Sequence, residues 1–172
     1  MVRTPPSVKR HREEGPKSVR AAVITVSDTR TPDTDDNGKY IRQALEGKGH
    51  EVVRHSLCKD EKSELKAELD KIFATRCDVI VINGGTGIAP RDITIETVES
   101  ALEKRIDGFG ELFRQLSYEE IGTPAMLSRA VAGTSKGRIL FCLPGSPDAV
   151  RLAMEKLVLP ELGHLVHMAK GH

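Results

Sequence analysis

The segment spanning residues 78–92, Asp-Val-Ile-Val-Ile-Asn-Gly-Gly-Thr-Gly-Ile-Ala-Pro-Arg-Asp, constrains the fold more than any other part of the chain. Its β-branched run has no polar alternation, which predicts a strand covered on both faces, as in parallel sheets flanked by helices. Gly84, Gly85 and Gly87 fall where that strand should end. In open α/β sheets, ligands bind beyond the carboxyl ends of the strands. Glycine there frees the backbone to bend and lets N–H groups approach an anion. The segment therefore predicts a phosphate-handling loop, with Arg91 and Asp92 supplying charge and a metal ligand. It is not a Walker A loop, since no Gly-Lys-Ser/Thr follows. Ile88, Ala89 and Pro90 also leave the dinucleotide fingerprint without its third glycine. On spacing alone, an ordinary glycine-rich turn between strand and helix fits equally well.

The elements around this segment set the fold class. Residues 19–26 predict a first strand ending at Ser27 and Asp28, followed by a polar loop with Pro32, Asp33, Asp35 and Asp36. That loop is either functional or a solvated acidic turn. Ile41, Ala44 and Leu45 mark a helix stopped by Gly47 and Gly49. A strand over 51–57 leads to Asp60, and an amphipathic helix over 61–75 buries Leu65, Leu69, Ile72 and Phe73. The resulting β-α-β-α-β order predicts a three-layer α/β/α sandwich with a mostly parallel sheet. Farther on, Thr94 reads as the N-cap of a helix with Ile95, Val98 and Leu102 inward, and residues 107–121 form another helix. A buried strand over 138–143 ends at Pro144-Gly145-Ser146-Pro147. There Ser146 caps a helix that Pro147 begins and Asp148 favours through the dipole. That turn is either an anion site or simply a well-capped helix start. Pro160 is expected to break this helix or start a short new one.

At 172 residues the chain has room for one domain, assigned to residues 19–172. Residues 1–18 hold three prolines, a basic cluster at Lys9, Arg10 and Arg12, and little apolar content, so a flexible basic arm is expected. The 26 basic residues balance 25 acidic ones at a formal charge of +1, so nothing global points to nucleic acid. Cys58, Cys77 and Cys142 are scattered, without disulfide or zinc spacing, which favours a reducing cytoplasm. No apolar stretch is long enough to span a membrane.

Several strand-end loops should share one sheet edge: Ser27-Asp28, Asp60, residues 84–92, and residues 144–146. Asp60 and Asp92 suit Mg²⁺, which takes one or two carboxylates plus substrate phosphates. Arg91 and Arg129 can pair with phosphate oxygens. No histidine is expected near these loops, and His164 and His167 should lie on the surface of the last helix. A reaction needing no protein nucleophile fits, such as transfer between phosphates, where positioning and charge stabilisation do most of the work.

These residues resemble the MogA/MoaB family of molybdenum-cofactor biosynthesis proteins, which includes the gephyrin G domain. The resemblance rests on Thr25-Val26-Ser27-Asp28, Gly84-Gly85-Thr86-Gly87 with Arg91-Asp92, and Pro144-Gly145-Ser146-Pro147. The segments around residues 116–123 and 128–133 look specifically MoaB-like. Ile95 stands where many members have proline. The resemblance implies a molybdopterin-binding fold and, in active members, Mg-ATP-dependent adenylylation of molybdopterin. It places the two functional aspartates at Asp60 and Asp92, both catalytic and metal-binding. It further implies that Gly84, Gly85, Thr86 and Gly87 hold the pterin phosphate and that Ser128 and Ser146 help bind the pterin. Ser27 and Asp28 would lie near the nucleotide, and Arg91, Arg129, Pro144 and Gly145 complete the binding set. A homo-oligomer is implied, a trimer or, from the MoaB-like segments, a hexamer. The alternative is a non-catalytic molybdopterin carrier or scaffold.

Overall fold

The computed structural model describes residues 4–171. Strands β1 (Arg20–Val26), β2 (Glu51–Cys58), β3 (Val79–Asn83), β4 (Lys104–Arg105), β5 (Val131–Ser135) and β6 (Arg138–Leu143) form one sheet in the order β2-β1-β3-β6-β5-β4. β2, β1, β3 and β6 run parallel, whereas β5 is antiparallel to β6 and β4 to β5. Helices α1 (Pro6–Glu14), α2 (Asp36–Gly47), α3 (Lys62–Phe73), α4 (Thr94–Glu99), α5 (Asp107–Ile121), α6 (Pro147–Ala153) and α7 (Leu159–Ala169) complete the chain.

Strand periodicity divides the apolar residues between two cores. Ala21, Val23, Val79, Val81, Phe141 and Leu143 face Ile41, Leu45, Phe109, Phe113, Val150, Leu162 and Val166. Ala22, Ile24, Val26, Ile80, Ile82, Leu140 and Cys142 face Leu65, Leu69, Ile72, Ile95 and Val98. Every residue of β3 is buried, as its unbroken apolar run requires. The expected α/β/α sandwich is therefore the observed fold. From β1 the chain steps outward to β2, then crosses back to β3 on the other side. That reversal opens a crevice beyond the carboxyl ends of β1 and β3.

Several local expectations are corrected. β5, Val-Ala-Gly-Thr-Ser, escaped notice because its small residues carry little strand propensity. Smallness is needed there: a Cβ on Gly133 would lie 2.4 Å from the Lys104 carbonyl oxygen of β4. Thr94 is the first helical residue of α4 rather than its cap; Ile93 holds the cap position. Of the two outcomes expected at Pro160, the second is observed: it sits in the first turn of a new helix and does not break the chain's helical course. The chain passes from α6 through a π-helical turn, Met154–Val158, into α7, whose first turn does not need the missing proline N–H.

Residues 6–14, expected to be part of a flexible arm, instead form α1 docked on α7. No α1 side chain is buried, so apolar content gave no warning. The contacts are polar: Arg12 pairs with Glu161, and Glu14 lies 3.6 Å from His167. The His11 ring sits 5.9 Å from that of His164 and 6.3 Å from that of His167. His164 and His167 are therefore half-buried interface residues, not surface ones. Two glycines allow the approach. A Cβ on Gly15 would meet the Gly163 carbonyl oxygen at 2.6 Å, and one on Gly163 would meet that of Pro16 at 2.6 Å. Gly163→Ala should therefore release α1, raising amide hydrogen exchange across residues 6–14 while the sheet amides keep their protection. Alanine adds about 1 kcal/mol of helix propensity to α7 itself. Unchanged exchange in residues 6–14 would count against this account of the docking.

Candidate functional site

The floor of the crevice is a buried polar chain linking β3, β1 and α2. Asn83 Nδ2 donates to the Ile24 carbonyl at 3.2 Å and to Thr25 Oγ1 at 2.9 Å. Thr25 Oγ1 donates in turn to the Asp35 carboxylate at 2.9 Å. Asp35 is 1% exposed, caps α2 by accepting the Gly38 N–H, and lies 2.8 Å from His55 Nε2. Asp35 is thus no solvated turn residue, and a histidine does stand behind a strand-end loop. Each side chain of this Asn83–Thr25–Asp35–His55 network has a partner, as burial demands. Gly38 must lack a side chain, because a Cβ would lie 2.1 Å from Asp35 Oδ2.

Above this floor the loop after β3 runs between the ends of its neighbours. Gly84 N–H donates to the Leu143 carbonyl at 3.1 Å, and a Gly84 Cβ would lie 2.2 Å from the Val26 carbonyl oxygen. Gly84 and Gly85 adopt φ of 93° and 61°, which side-chain-bearing residues rarely do. The next glycines make room for carboxylates. A Cβ on Gly85 would approach Asp60 Oδ1 to 2.6 Å, and one on Gly87 would approach Asp92 Oδ2 to 2.5 Å. Both aspartates therefore press against the same loop, and both line one cavity of about 260 Å³. Ser27, Arg30, Asp35, Asn37, Asn83 and Gly145 also line it.

Charge is concentrated on this rim. Asp60 Oδ2 accepts the Asp28 N–H at 3.0 Å, while Asp28 Oδ1 accepts the Asp60 N–H at 3.2 Å. Burial, and then the charges of Asp28 and Asp92, hold the Asp60 carboxyl above its ordinary range. Asp28 is held below that range by Arg91, which grips both of its oxygens, at 2.7 and 3.0 Å. Arg91 also pairs with Glu61 at 2.9 Å, so its guanidinium braces carboxylates beside the cavity instead of facing into it. Ser27 Oγ accepts two N–H groups of its own loop, from Thr29 and Arg30. Burial pushes the Cys58 thiol up to about 12, which leaves no thiolate nucleophile at neutral pH.

A second cavity, about 340 Å³, lies across the Gly84–Gly145 contact from the first. Thr86, Gly87, Ser128, Arg129, Pro144, Gly145 and Ser146 line it, with Ile121, Leu127 and Leu152 supplying apolar surface. Arg129 Nε donates to the Thr86 carbonyl at 2.9 Å and its Nη1 pairs with Glu96 at 2.7 Å. Ser146 Oγ caps α6 by accepting the Ala149 N–H. Gly145 lines both cavities, and Asn37 Nδ2 fastens its carbonyl at 2.7 Å. Most of the predicted residues thus line one cavity or the other, with Gly145 shared, whereas Asp28 and Arg91 line neither and stand beside the first.

A domain family described as "Probable molybdopterin binding domain" matches residues 22–164. The chain is 52% identical over 163 residues to molybdenum cofactor biosynthesis protein B of Halalkalibacterium halodurans, covering 93% of this chain and 95% of the relative. The chain belongs to the MogA/MoaB family. Among solved structures, a molybdenum cofactor biosynthesis protein B superposes with a TM-score of 0.87 at 48% identity, covering 90% of this chain and 97% of that one. The tungsten cofactor synthesizing protein MoaB from Pyrococcus furiosus superposes at 0.81 and 37% identity, over 90% and 99% of the two chains.

Within this family fold, sequence reasoning did not assign Thr25, Asn37 or Asn83 to the site, and it left Asp35 open between a functional loop and a solvated turn. Asp35 carried a readable signal, since an aspartate three residues before Gly38 at a helix start is an N-cap pattern. The other three act through contacts made between distant segments.

Among the described residues, no cluster of three or more His, Cys, Asp or Glu is arranged to cage a cation. Asp60 and Asp92 beside one cavity nevertheless fit Mg²⁺, which draws its other ligands from phosphates and water. The carboxylate repulsion at Asp60 is what such an ion relieves. A carboxyl whose folded pKa is raised stabilises the fold below its unfolded pKa, and that contribution is lost as pH rises through the folded value. Asp60→Asn removes this ionisation. Without divalent cations, it should melt at or above the wild-type temperature at pH 7. The difference should vanish as pH falls towards the ordinary carboxyl value of 3.8. A variant clearly less stable at pH 7 would contradict this assignment of charge strain.

Proposed function

We propose that the protein adenylylates molybdopterin within molybdenum-cofactor biosynthesis. An oxygen of the pterin's terminal phosphate attacks the α-phosphorus of ATP, the bond to the β-phosphate breaks, and pyrophosphate leaves. That oxygen is already ionised at neutral pH, so no protein base is required, consistent with a rim that offers no free nucleophile. The observation that carries the reading is the pair of cavities meeting at the Gly84–Gly145 ridge, with Asp60 and Asp92 on one side and Ser128, Arg129 and Ser146 on the other. In this reading the first cavity holds the nucleotide phosphates and the second holds the pterin. The backbone of residues 84–87 binds the pterin phosphate, and Ser128 and Ser146 donate to pterin acceptors. Arg91 keeps Asp28, and through it Asp60, in place. Bound Mg²⁺, held by Asp60 and Asp92, supplies neutralisation of the triphosphate charge.

Incubation with Mg-ATP and molybdopterin should release pyrophosphate and yield adenylylated pterin. Asp92→Asn should lower turnover on the order of a hundredfold or more while pterin binding persists. Pterin binding by the wild type without any product would favour the carrier reading instead. Equal turnover by variant and wild type would remove Asp92 from the reaction.

A homo-oligomer, trimer or hexamer, belongs to the same proposal. It is supported by Tyr118, Ile121, Met126 and Leu127, exposed at the end of α5 and on the 3₁₀ turn after it, Thr123–Leu127. Contiguous exposed apolar side chains of this size mark association surfaces. Met126→Glu should shift the sedimentation coefficient towards that of a monomer while circular dichroism stays unchanged. An unaltered coefficient would place the interface elsewhere.

A further inference from the structure

One buried polar atom beside the carboxylates has no partner among the described residues: the Thr94 hydroxyl. Thr94 is 0% exposed, and its backbone N–H donates to the Gly85 carbonyl at 2.9 Å, which pins it beneath the glycine loop. Other hydroxyls near α4 have found carbonyls: Thr97 Oγ1 donates to Ile93 at 2.7 Å and Ser100 Oγ to Thr97 at 2.6 Å. Thr94 opens the helix and has no preceding helical turn to bond back to. A buried hydroxyl left unbonded is costly, so its retention calls for a partner in another state of the site.

The geometry identifies that partner. A single point, the position of a Cβ on Gly85, lies 2.4 Å from Thr94 Oγ1 and 2.6 Å from Asp60 Oδ1. The two oxygens are therefore no more than about 5 Å apart, with only the bare glycine between them. Asp60 is tied through its other oxygen, Oδ2, to the Asp28 amide. We propose that Thr94 is a positioning residue for Asp60, its hydroxyl donating to Oδ1 when the site takes up the metal–nucleotide complex. This assignment rests on the adenylylation reading and deepens it. Gly85 is then glycine for two reasons, its φ of 61° and the corridor it leaves between hydroxyl and carboxylate. A hydrogen bond at this place fixes one lobe of the carboxylate and leaves the remaining lone pairs for the cation.

The test uses Thr94→Val, which keeps the branched shape and removes only the hydroxyl, and Thr94→Ser, which keeps the hydroxyl. With the ligand-free hydroxyl unpartnered, Thr94→Val should melt at or above the wild-type temperature. It should bind Mn²⁺-ATP, followed by Mn²⁺ electron paramagnetic resonance, roughly tenfold or more weakly, as expected for loss of a charge-assisted hydrogen bond. Thr94→Ser should recover most of that affinity, and pterin binding should be unaffected in both. Wild-type affinity for Mn²⁺-ATP in Thr94→Val would overturn the proposal. So would a lowered melting temperature in Thr94→Val with no recovery of affinity in Thr94→Ser, which would mark a packing role. If the wild type itself fails to bind Mn²⁺-ATP, the nucleotide reading falls first and the Thr94 assignment falls with it.

Discussion

The site depends on how closely the backbone after β3 passes its neighbours. At Gly84 the chain lies against the Val26 carbonyl on one side and bonds the Leu143 carbonyl on the other, with no volume for a single side-chain carbon. That approach locks three parallel strand ends into one rim. It also brings Gly85 against Asp60, which arrives from the loop after β2, and Gly87 against Asp92 at the far end of its own loop. A bulkier loop would separate the carboxylates from the ridge that divides the two cavities. Glycine serves here as an absence of atoms in three dimensions as much as a source of backbone freedom.

Electrostatics and packing pull against each other on this rim. Asp28, Asp60 and Asp92 gather negative charge on one rim, burial and the neighbouring carboxylates hold the Asp60 carboxyl above its ordinary range, and of the three Arg91 pairs directly only with Asp28. The arrangement persists because the floor is rigid. Asn83, Thr25 and Asp35 tie the ends of β3 and β1 to the start of α2 through satisfied buried hydrogen bonds. Functional sites commonly hold such strain within an over-determined surround. Here the repulsion is among carboxylates, and the natural counterweight is a cation.

Much of this was legible in one dimension, and the failures have identifiable causes. β3 and β6 announced themselves through uninterrupted β-branched and apolar runs, and the helices through their inward stripes. The Asp60–Asp92 pairing followed once parallel strand order put their loops on one edge. β5 did not, because Gly133 and its small neighbours are dictated by contact with β4, a tertiary demand without a local signature. α1 looked disordered because its docking is polar, and composition measures only apolar burial. Arg91 and Arg129 read as phosphate ligands by type. Their actual partners, Asp28 with Glu61 and Thr86 with Glu96, come from segments tens of residues away.

Local chemistry alone determined the α/β/α class, the glycine loop at a strand end and the acidic residues near it, since periodicity, backbone freedom and charge belong to neighbouring residues. The tertiary structure decided which of those residues share a cavity, which arginines are already engaged, and where one threonine hydroxyl lies unpaired beside a carboxylate. Such facts arise from distances between segments that meet only when the sheet is assembled. No local pattern encodes a distance of that kind.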